Sequence, residues 1–238
     1  MSFRDFKYKQ DFHPGLAGIF TNPFYFARKG LRKGIVSLAP EITGQVIDVG
    51  CGRKPYRSLF STDTYIGLDI ENPGHSHENE DIDVFYDGKV FPFENESFDN
   101  ALCNQVLEHV FNPDEFLKEI HRVLKPGGKL LLTVPFAWDE HEQPFDFARY
   151  SSFGLKHLME QAGFTIETSI KSVNDSRALA QLWNTFIYKK TVTKSGALNL
   201  LITALLMAPV TLFWSIIWPI FGKSRDFYLD NIILAVKK

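Results

Sequence analysis

The first residues here whose types and spacing suggest chemistry are two glycines behind a short apolar run. Val46-Ile-Asp-Val-Gly-Cys-Gly52 reads as a buried strand ending in a turn, where Gly50 and Gly52 let backbone approach a ligand that a Cβ would block. The turn's N–H groups, and any helix opening after it, would favour an anionic group. Three acids sit in or beside predicted strand ends: Asp48 in the first, Asp69 closing Tyr65-Ile-Gly-Leu-Asp69 with Ile70 beside it, and Asp87 ahead of Gly88 after the third. Such carboxylates can accept from ribose hydroxyls or an exocyclic amine, and Gly88 leaves room for a flat ring. Further on, Trp138-Asp-Glu-His-Glu-Gln-Pro-Phe-Asp-Phe-Ala-Arg-Tyr150 gathers titratable side chains in one loop. His141 leads there as a candidate base because imidazole titrates near neutrality, with Asp139 and Asp146 behind it. Arg149 can hold an anion or pair with Asp146.

The elements that must position these groups follow from the pattern around them. Strands are expected at 46–49, 65–69, 82–86, 99–103, 129–135, 164–171 and 231–236, as short apolar runs bounded by Gly, Pro, Asn and Asp. The clearest helix is 112–124: Asn112 caps it, Pro113 takes the first helical position, and Phe116, Leu117, Ile120, Val123 and Leu124 share one face. Lys125-Pro-Gly-Gly128 is expected to stop it, and a second helix spans 152–162 before Gly163. The alternation of strand and helix implies an α/β fold, a doubly wound, mostly parallel seven-stranded sheet that binds ligands beyond the carboxyl ends of its strands. Residues 1–43 read as an N-terminal helical cap, 44–171 as the core, 172–228 as a helical apolar insertion and 229–238 as the last strand.

Composition excludes several classes. The chain has 238 residues and a formal net charge of −2, so no basic field marks a nucleic-acid partner. Its two cysteines, Cys51 and Cys103, form no disulfide framework and no metal spacing, so no metal is expected and a reducing cytoplasm is. A nicotinamide fingerprint would need a third glycine where Pro55 stands, which argues against a pyrophosphate cofactor and an oxidoreductase.

Asp48-Val-Gly-Cys-Gly52 resembles motif I of the class I S-adenosylmethionine-dependent methyltransferases. Together with Asp87-Gly88, Phe91–Asp99, Asn104-Gln-Val-Leu-Glu-His109 and Leu124-Lys-Pro-Gly-Gly-Lys-Leu-Leu132, it resembles the type 11 branch, the ubiquinone and menaquinone methylase-like proteins. The resemblance covers about residues 44–170 and implies a Rossmann-like methyltransferase with S-adenosylmethionine as cofactor. By it, Gly50, Cys51 and Gly52 line the methionine part and Asp48 positions its ammonium indirectly. Asp69 and Ile70 meet the ribose, Asp87 and Gly88 meet the adenine, and Asn104, Gln105 and His109 border the sulfonium. A leading helix often lies across the cofactor mouth in this family, making Tyr25 and Arg28 candidate substrate contacts beside Arg149. Packing is the competing account of Tyr25 and Arg28, as a small core residue is of Cys51. The acceptor implied is a small molecule, glycan or lipid-linked group, with oxygen methylation favoured; Pro144–Ser151 is similar to methyltransferases encoded among surface-glycan genes. The alternative is a non-catalytic subunit that keeps the fold as an interaction or membrane-docking module.

In that family the sixth strand usually pairs directly with a reversed seventh, whereas here residues 172–230 intervene. Leu198–Phe221 carries no charge, is long enough to cross a bilayer, and is interrupted by Pro209 and Pro219. Lys189, Lys190 and Lys194 precede it and Lys223 and Arg225 follow, which would keep both ends cytoplasmic. Three readings stand: a broken helix in peripheral or re-entrant contact with the cytoplasmic membrane face, a cover over the protein's own cavity or a homodimer partner, and a true span that forfeits the seventh strand.

Overall fold

A computed structural model describes residues 2–71 and 80–238. Its elements begin with α1 (Phe3–Phe12), α2 (Gly18–Thr21), α3 (Tyr25–Leu38), β1 (Gln45–Val49), β2 (Thr64–Ile70), β3 (Val84–Tyr86) and β4 (Phe98–Asn104). There follow α4 (Pro113–Val123), β5 (Leu124–Pro135), α5 (Ser152–Gln161), β6 (Phe164–Lys171) and α6 (Arg177–Thr191). The last are α7 (Gly196–Ile202), a π turn (Thr203–Met207), α8 (Ala208–Phe221) and β7 (Asp230–Lys237). Contacts divide the chain into two units. One holds residues 1–33, 137–139 and 171–230; the other, the sheet unit, holds 34–136, 140–170 and 231–238.

In the sheet unit the strands lie in the order β3-β2-β1-β4-β5-β7-β6. Parallel ladders join β1 to β2 and β4, β2 to β3, and β4 to β5. The order reverses between β1 and β4, so the crevice for a ligand opens beyond their carboxyl ends. Val46, Ile47 and Val49 of β1 are fully buried, as are Leu130, Leu132 and Val134 of β5. Each such side chain contributes about 1.5–3 kcal/mol relative to exposure. The predicted face of α4 is observed: Phe116, Leu117, Ile120 and Val123 are buried.

Three local expectations are corrected. Asn112 stands at the N-cap of α4 without a side-chain cap; its amide donates to Glu115 Oε2 at 3.4 Å, leaving the capping to backbone. Lys125–Gly128 does not separate α4 from β5, because strand pairing starts at Leu124 opposite Phe98 and the glycines form a bulge before Lys129 pairs with Asn100. The bulge is held by Asp99, which accepts from Lys125 Nζ and Gln45 N, both at 2.7 Å. The glycine turn after β1 opens no helix beyond the 3-10 turn Arg57–Leu59; Pro55 lacks an N–H to donate.

In the other unit, α6 packs against α8 and the π turn. Gln181 of α6 accepts from the N–H groups of Phe26 (3.0 Å) and Ala27 (3.3 Å), satisfying donors that the first turn of α3 leaves open. Residues Gly196–Phe221 form a single 26-residue helical run of mean hydropathy 2.2. Pro209 does not break it: the π turn ends just before it, and Asn184 Nδ2 donates to Met207 O (3.4 Å) and to Thr211 Oγ1 (3.0 Å). The insertion leaves and returns at one place, where Ser172 N donates to Asp230 O (2.9 Å) and Leu229 N to Ser172 O (3.0 Å). β7 therefore completes the sheet, and the reading of a span that forfeits this strand falls.

Candidate active site

The floor of the crevice is the turn after β1. Gly50 has φ +70, and a Cβ there would stand 2.3 Å from Val106 Cγ2. Only glycine lets this turn pass over the one that follows β4. The N–H groups of Gly50 and Cys51 donate to Leu68 O at 2.8 and 3.2 Å, and Gly52 N donates to Asp69 Oδ2 at 2.8 Å. These donors are already used within the protein. The turn is therefore no anion cradle, contrary to the first expectation from its glycines, and suits a ligand that carries no phosphate.

The acids surround it as predicted from their spacing. Asp69 Oδ1 accepts from Ile70 N at 2.8 Å, and a carboxylate with about four lone-pair sites retains capacity for ribose hydroxyls. Asp87 Oδ1 accepts from Lys89 N (3.0 Å) and Val90 N (3.4 Å); these bonds hold it below the usual carboxylate range. Gly88, at φ +83, has Ile70 Cδ1 where a Cβ would lie, 2.9 Å away. Asn104 Oδ1 accepts from Thr133 Oγ1 at 2.7 Å, and Gln105, at φ +57, is fixed by N–H donation to Thr133 O at 3.0 Å. Cys51 is buried, and burial pushes its thiol well above the ordinary range, so it lines the turn as an inert residue.

Asp48 is buried and accepts from the Tyr65 hydroxyl at 2.6 Å. A cavity of about 30 Å³, the size of one water, lies between Asp48, Tyr65, Asn104 and Thr133. Burial raises the Asp48 carboxyl to about 7, against the lowering effect of Tyr65. A folded-state value above the unfolded one means that the folded chain binds more protons at intermediate pH. Its contribution to stability is therefore full below about pH 4 and is lost as pH rises through about 7. Asp230, raised by burial to about 6, acts with the same sign. Asp48→Asn is expected to flatten the fall in the urea midpoint between about pH 5 and pH 8. An unchanged slope would show that Asp48 is ionised in the folded chain.

Beyond β4 and β5 a second cluster forms. The Glu108 carbonyl accepts from Phe147 N (2.8 Å) and Ala148 N (3.2 Å), and His109 Nδ1 bonds to Phe145 O at 2.8 Å, so the turn after β4 grips the loop after β5. Burial lowers the His109 pKa, keeping the ring neutral, and its edge meets His141 with centroids 4.8 Å apart. Asp146 takes Arg149 in a two-pronged pair (2.6 Å to each oxygen), accepts from His141 N at 2.9 Å, and lies 3.3 Å from His141 Nδ1. Burial would raise Asp146, but Arg149 holds it below the usual range. Donor atoms of Glu108, His109 and His141 lie within 4.8 Å of one another, spacing that could hold a metal ion. The Arg149 guanidinium, 3.3 Å from His141 Nδ1, opposes a cation there, and the cluster is suited to handling protons.

The remaining candidates belong to the other unit. Asp139 pairs with Lys189 at 2.6 Å. Tyr25 is buried beside Ile19 and Phe26, with its hydroxyl accepting from Lys29 Nζ at 2.8 Å. Arg28 stacks over Phe12 and lines a cavity of about 290 Å³ with Phe3, Phe6, Phe24 and Tyr188. Sequence reasoning missed Tyr65, Thr133 and Glu108. The first two are ordinary strand residues whose roles depend on register, while Glu108 beside His109 could have been singled out as an acid in a strand-end turn.

The residues fit S-adenosylmethionine on this geometry: a turn that only glycines can make, its donors satisfied internally, with acids at the ends of β1, β2 and β3 for an ammonium, a ribose and an adenine. The sequence profile of the methyltransferase-domain family matches residues 24–169, more than half of the chain. A probable S-adenosylmethionine-dependent methyltransferase of Mycolicibacterium smegmatis is 28% identical over 149 residues, covering 58% of each chain. The malonyl-[acyl-carrier protein] O-methyltransferase of Erwinia pyrifoliae is 26% identical over 141 residues, 53% of each. The chain thus spans little more than half the length of these relatives. Among solved structures, phosphoethanolamine N-methyltransferase 2 of Haemonchus contortus, in complex with S-adenosyl-L-methionine, superposes with a TM-score of 0.54 at 20% identity, covering 100% of this chain and 60% of that one. These relatives differ in acceptor, one oxygen and one nitrogen, so they leave the acceptor open while agreeing on the donor. Profile, relatives and fold converge with the glycine turn and its acids: the chain belongs to the class I S-adenosylmethionine-dependent methyltransferases.

Proposed function

We propose that this chain methylates an oxygen on a glycan, a lipid-linked saccharide or a quinone-like lipid. S-adenosylmethionine would supply an already activated methyl group, so the protein's task is to align the acceptor and exclude water. Gly50 and Gly52 would seat the methionine part, Asp69 the ribose, and Asp87 with Gly88 the adenine. A hydroxyl acceptor must lose its proton, which sets it apart from an amine that reacts through its lone pair. The observation that carries the oxygen reading is the Asp146–His141 pair beyond the carboxyl ends of β4 and β5, with Asp146 held ionised by Arg149. With Nδ1–H directed to Asp146, the Nε2 of His141 is left to take the acceptor's proton. The opposite tautomer, accepting from Arg149, would disable it.

Two measurements test this reading. Calorimetry with S-adenosylhomocysteine is expected to show binding, weakened about a hundredfold in Asp69→Ala, as loss of hydrogen bonds to a charged acceptor implies. Unchanged affinity in that variant would remove Asp69 from the site. Labelled methyl transfer into fractionated lipid, glycan and small-molecule extracts then identifies the acceptor. Label in an amine or on carbon would overturn the oxygen reading while leaving the donor intact.

A further inference from the structure

The helical insertion is built with its polarity reversed. Gln181, Asn184 and Thr185 of α6 are at most 2% exposed, as are Thr203 and Thr211 of the long helix. They bond to each other and to backbone along the seam between α6 and α8, beside the small residues Ala178, Ala180 and Ala208. The outward faces are apolar: Leu179, Trp183 and Phe186 on α6, spaced one helical turn apart, and Phe213, Ile216 and Ile220 on α8. Ile216 is 75% exposed and Ile220 79%. Small and hydrogen-bonding side chains between helices, with large apolar ones outside, is the packing expected where the surroundings are lipid.

The charge pattern names the occupant. From Ser176 to Arg225 there are six cations and no acid, in a chain whose net charge is −2. Arg177 pairs with Asp175 and Lys189 with Asp139, while Lys190, Lys194, Lys223 and Arg225 are exposed at the two ends of the 196–221 helix. A second copy of this chain would bring the same cations against them. An anionic lipid leaflet complements them.

The topology rules out a crossing. The insertion starts and ends at the Ser172–Asp230 backbone pair. α6 has 15 residues, and at 1.5 Å each spans about 22 Å against a hydrocarbon core of about 30 Å. Cations at both ends of the long helix keep both at headgroup depth, so it lies in the plane of the surface.

We infer that α6 and the 196–221 helix form a monotopic docking surface that seats this chain on an anionic membrane leaflet, with the outward apolar faces of both helices in the acyl-chain boundary. This goes beyond methyl transfer and does not depend on it.

The test is flotation of the full chain with phosphatidylcholine vesicles, with and without phosphatidylglycerol. Wild type is expected to float with the anionic vesicles, and its tryptophan emission to be quenched by brominated lipid. The Phe213→Gln/Ile216→Gln/Ile220→Gln variant should lose at least about tenfold of that binding. Lys190→Gln/Lys194→Gln/Lys223→Gln/Arg225→Gln should lose a similar factor on anionic vesicles alone. Circular dichroism confirms that both variants are folded, and S-adenosylhomocysteine binding reports separately on the site. Wild type left in the aqueous fractions with both vesicle types would overturn the inference. So would a stable dimer in light scattering that the apolar variant dissociates while vesicle binding is absent.

Discussion

Gly50→Ala is expected to weaken S-adenosylhomocysteine binding by about a hundredfold or more, and to lower stability as well. The new methyl would lie 2.3 and 2.9 Å from the two Cγ atoms of Val106, at φ +70. A left-handed conformation costs a non-glycine residue about 1–2 kcal/mol, and overpacking about 1–3 kcal/mol more. At about 1.4 kcal/mol per factor of ten, that sum reaches two to three decades. Val106 cannot easily retreat, because Gln105 before it is pinned to Thr133 O. The strain must therefore move the β1 turn itself, and with it Gly52, whose N–H meets Asp69. Calorimetry checks the loss. The double variant Gly50→Ala/Val106→Ala should recover part of it, because it removes the collision while leaving the backbone strain. Wild-type affinity in the single variant would show that the turn can relax freely and is no rigid seat.

His141→Gln is expected to slow methyl transfer by about 10²–10⁴-fold, the range for loss of a positioned general base. S-adenosylhomocysteine affinity should change less than about twofold, because the imidazole is placed with the acceptor chemistry beyond β4 and β5. Single-turnover transfer to the acceptor found in extracts measures the first effect and calorimetry the second. Asp146→Asn should lower the rate too, since it removes the charge that orients the imidazole and frees Arg149. An undiminished rate in His141→Gln would exclude it as the base and point to an acceptor that needs none. A large loss of cofactor affinity in the same variant would assign the residue to loop structure, where its N–H bond to Asp146 already places it.

Much of the fold was legible because its signals are local. A β-strand's apolar run, a helix's spaced face and a turn that only glycine can make each need a few adjacent residues, and all seven strands lie where the pattern placed them. The site was legible in its backbone-defined parts, the glycine turn and the acids at strand ends, because topology puts strand ends at the crevice. It was less legible where function depends on partners. Asp48 and Tyr65 are 17 positions apart, and they meet only through the parallel register of β1 and β2. Asn104 reaches Thr133 across β4 and β5 in the same way. The glycine turn illustrates the limit: its composition suggested free N–H donors for an anion, but the ladder with β2 consumes them.

The insertion divides the two kinds of knowledge most clearly. By itself the sequence determined that a long uncharged segment with basic ends precedes the last strand, because charge and hydropathy are properties of residues one at a time. Whether that segment breaks at its prolines, spans, or folds back was decided by tertiary structure alone. The π turn and Asn184 keep the helix whole, β7 returns between β5 and β6, and the buried polar seam turns the apolar faces outward. The physical reason is that burial belongs to a pair of packed surfaces, and no residue carries it until its partner is in place.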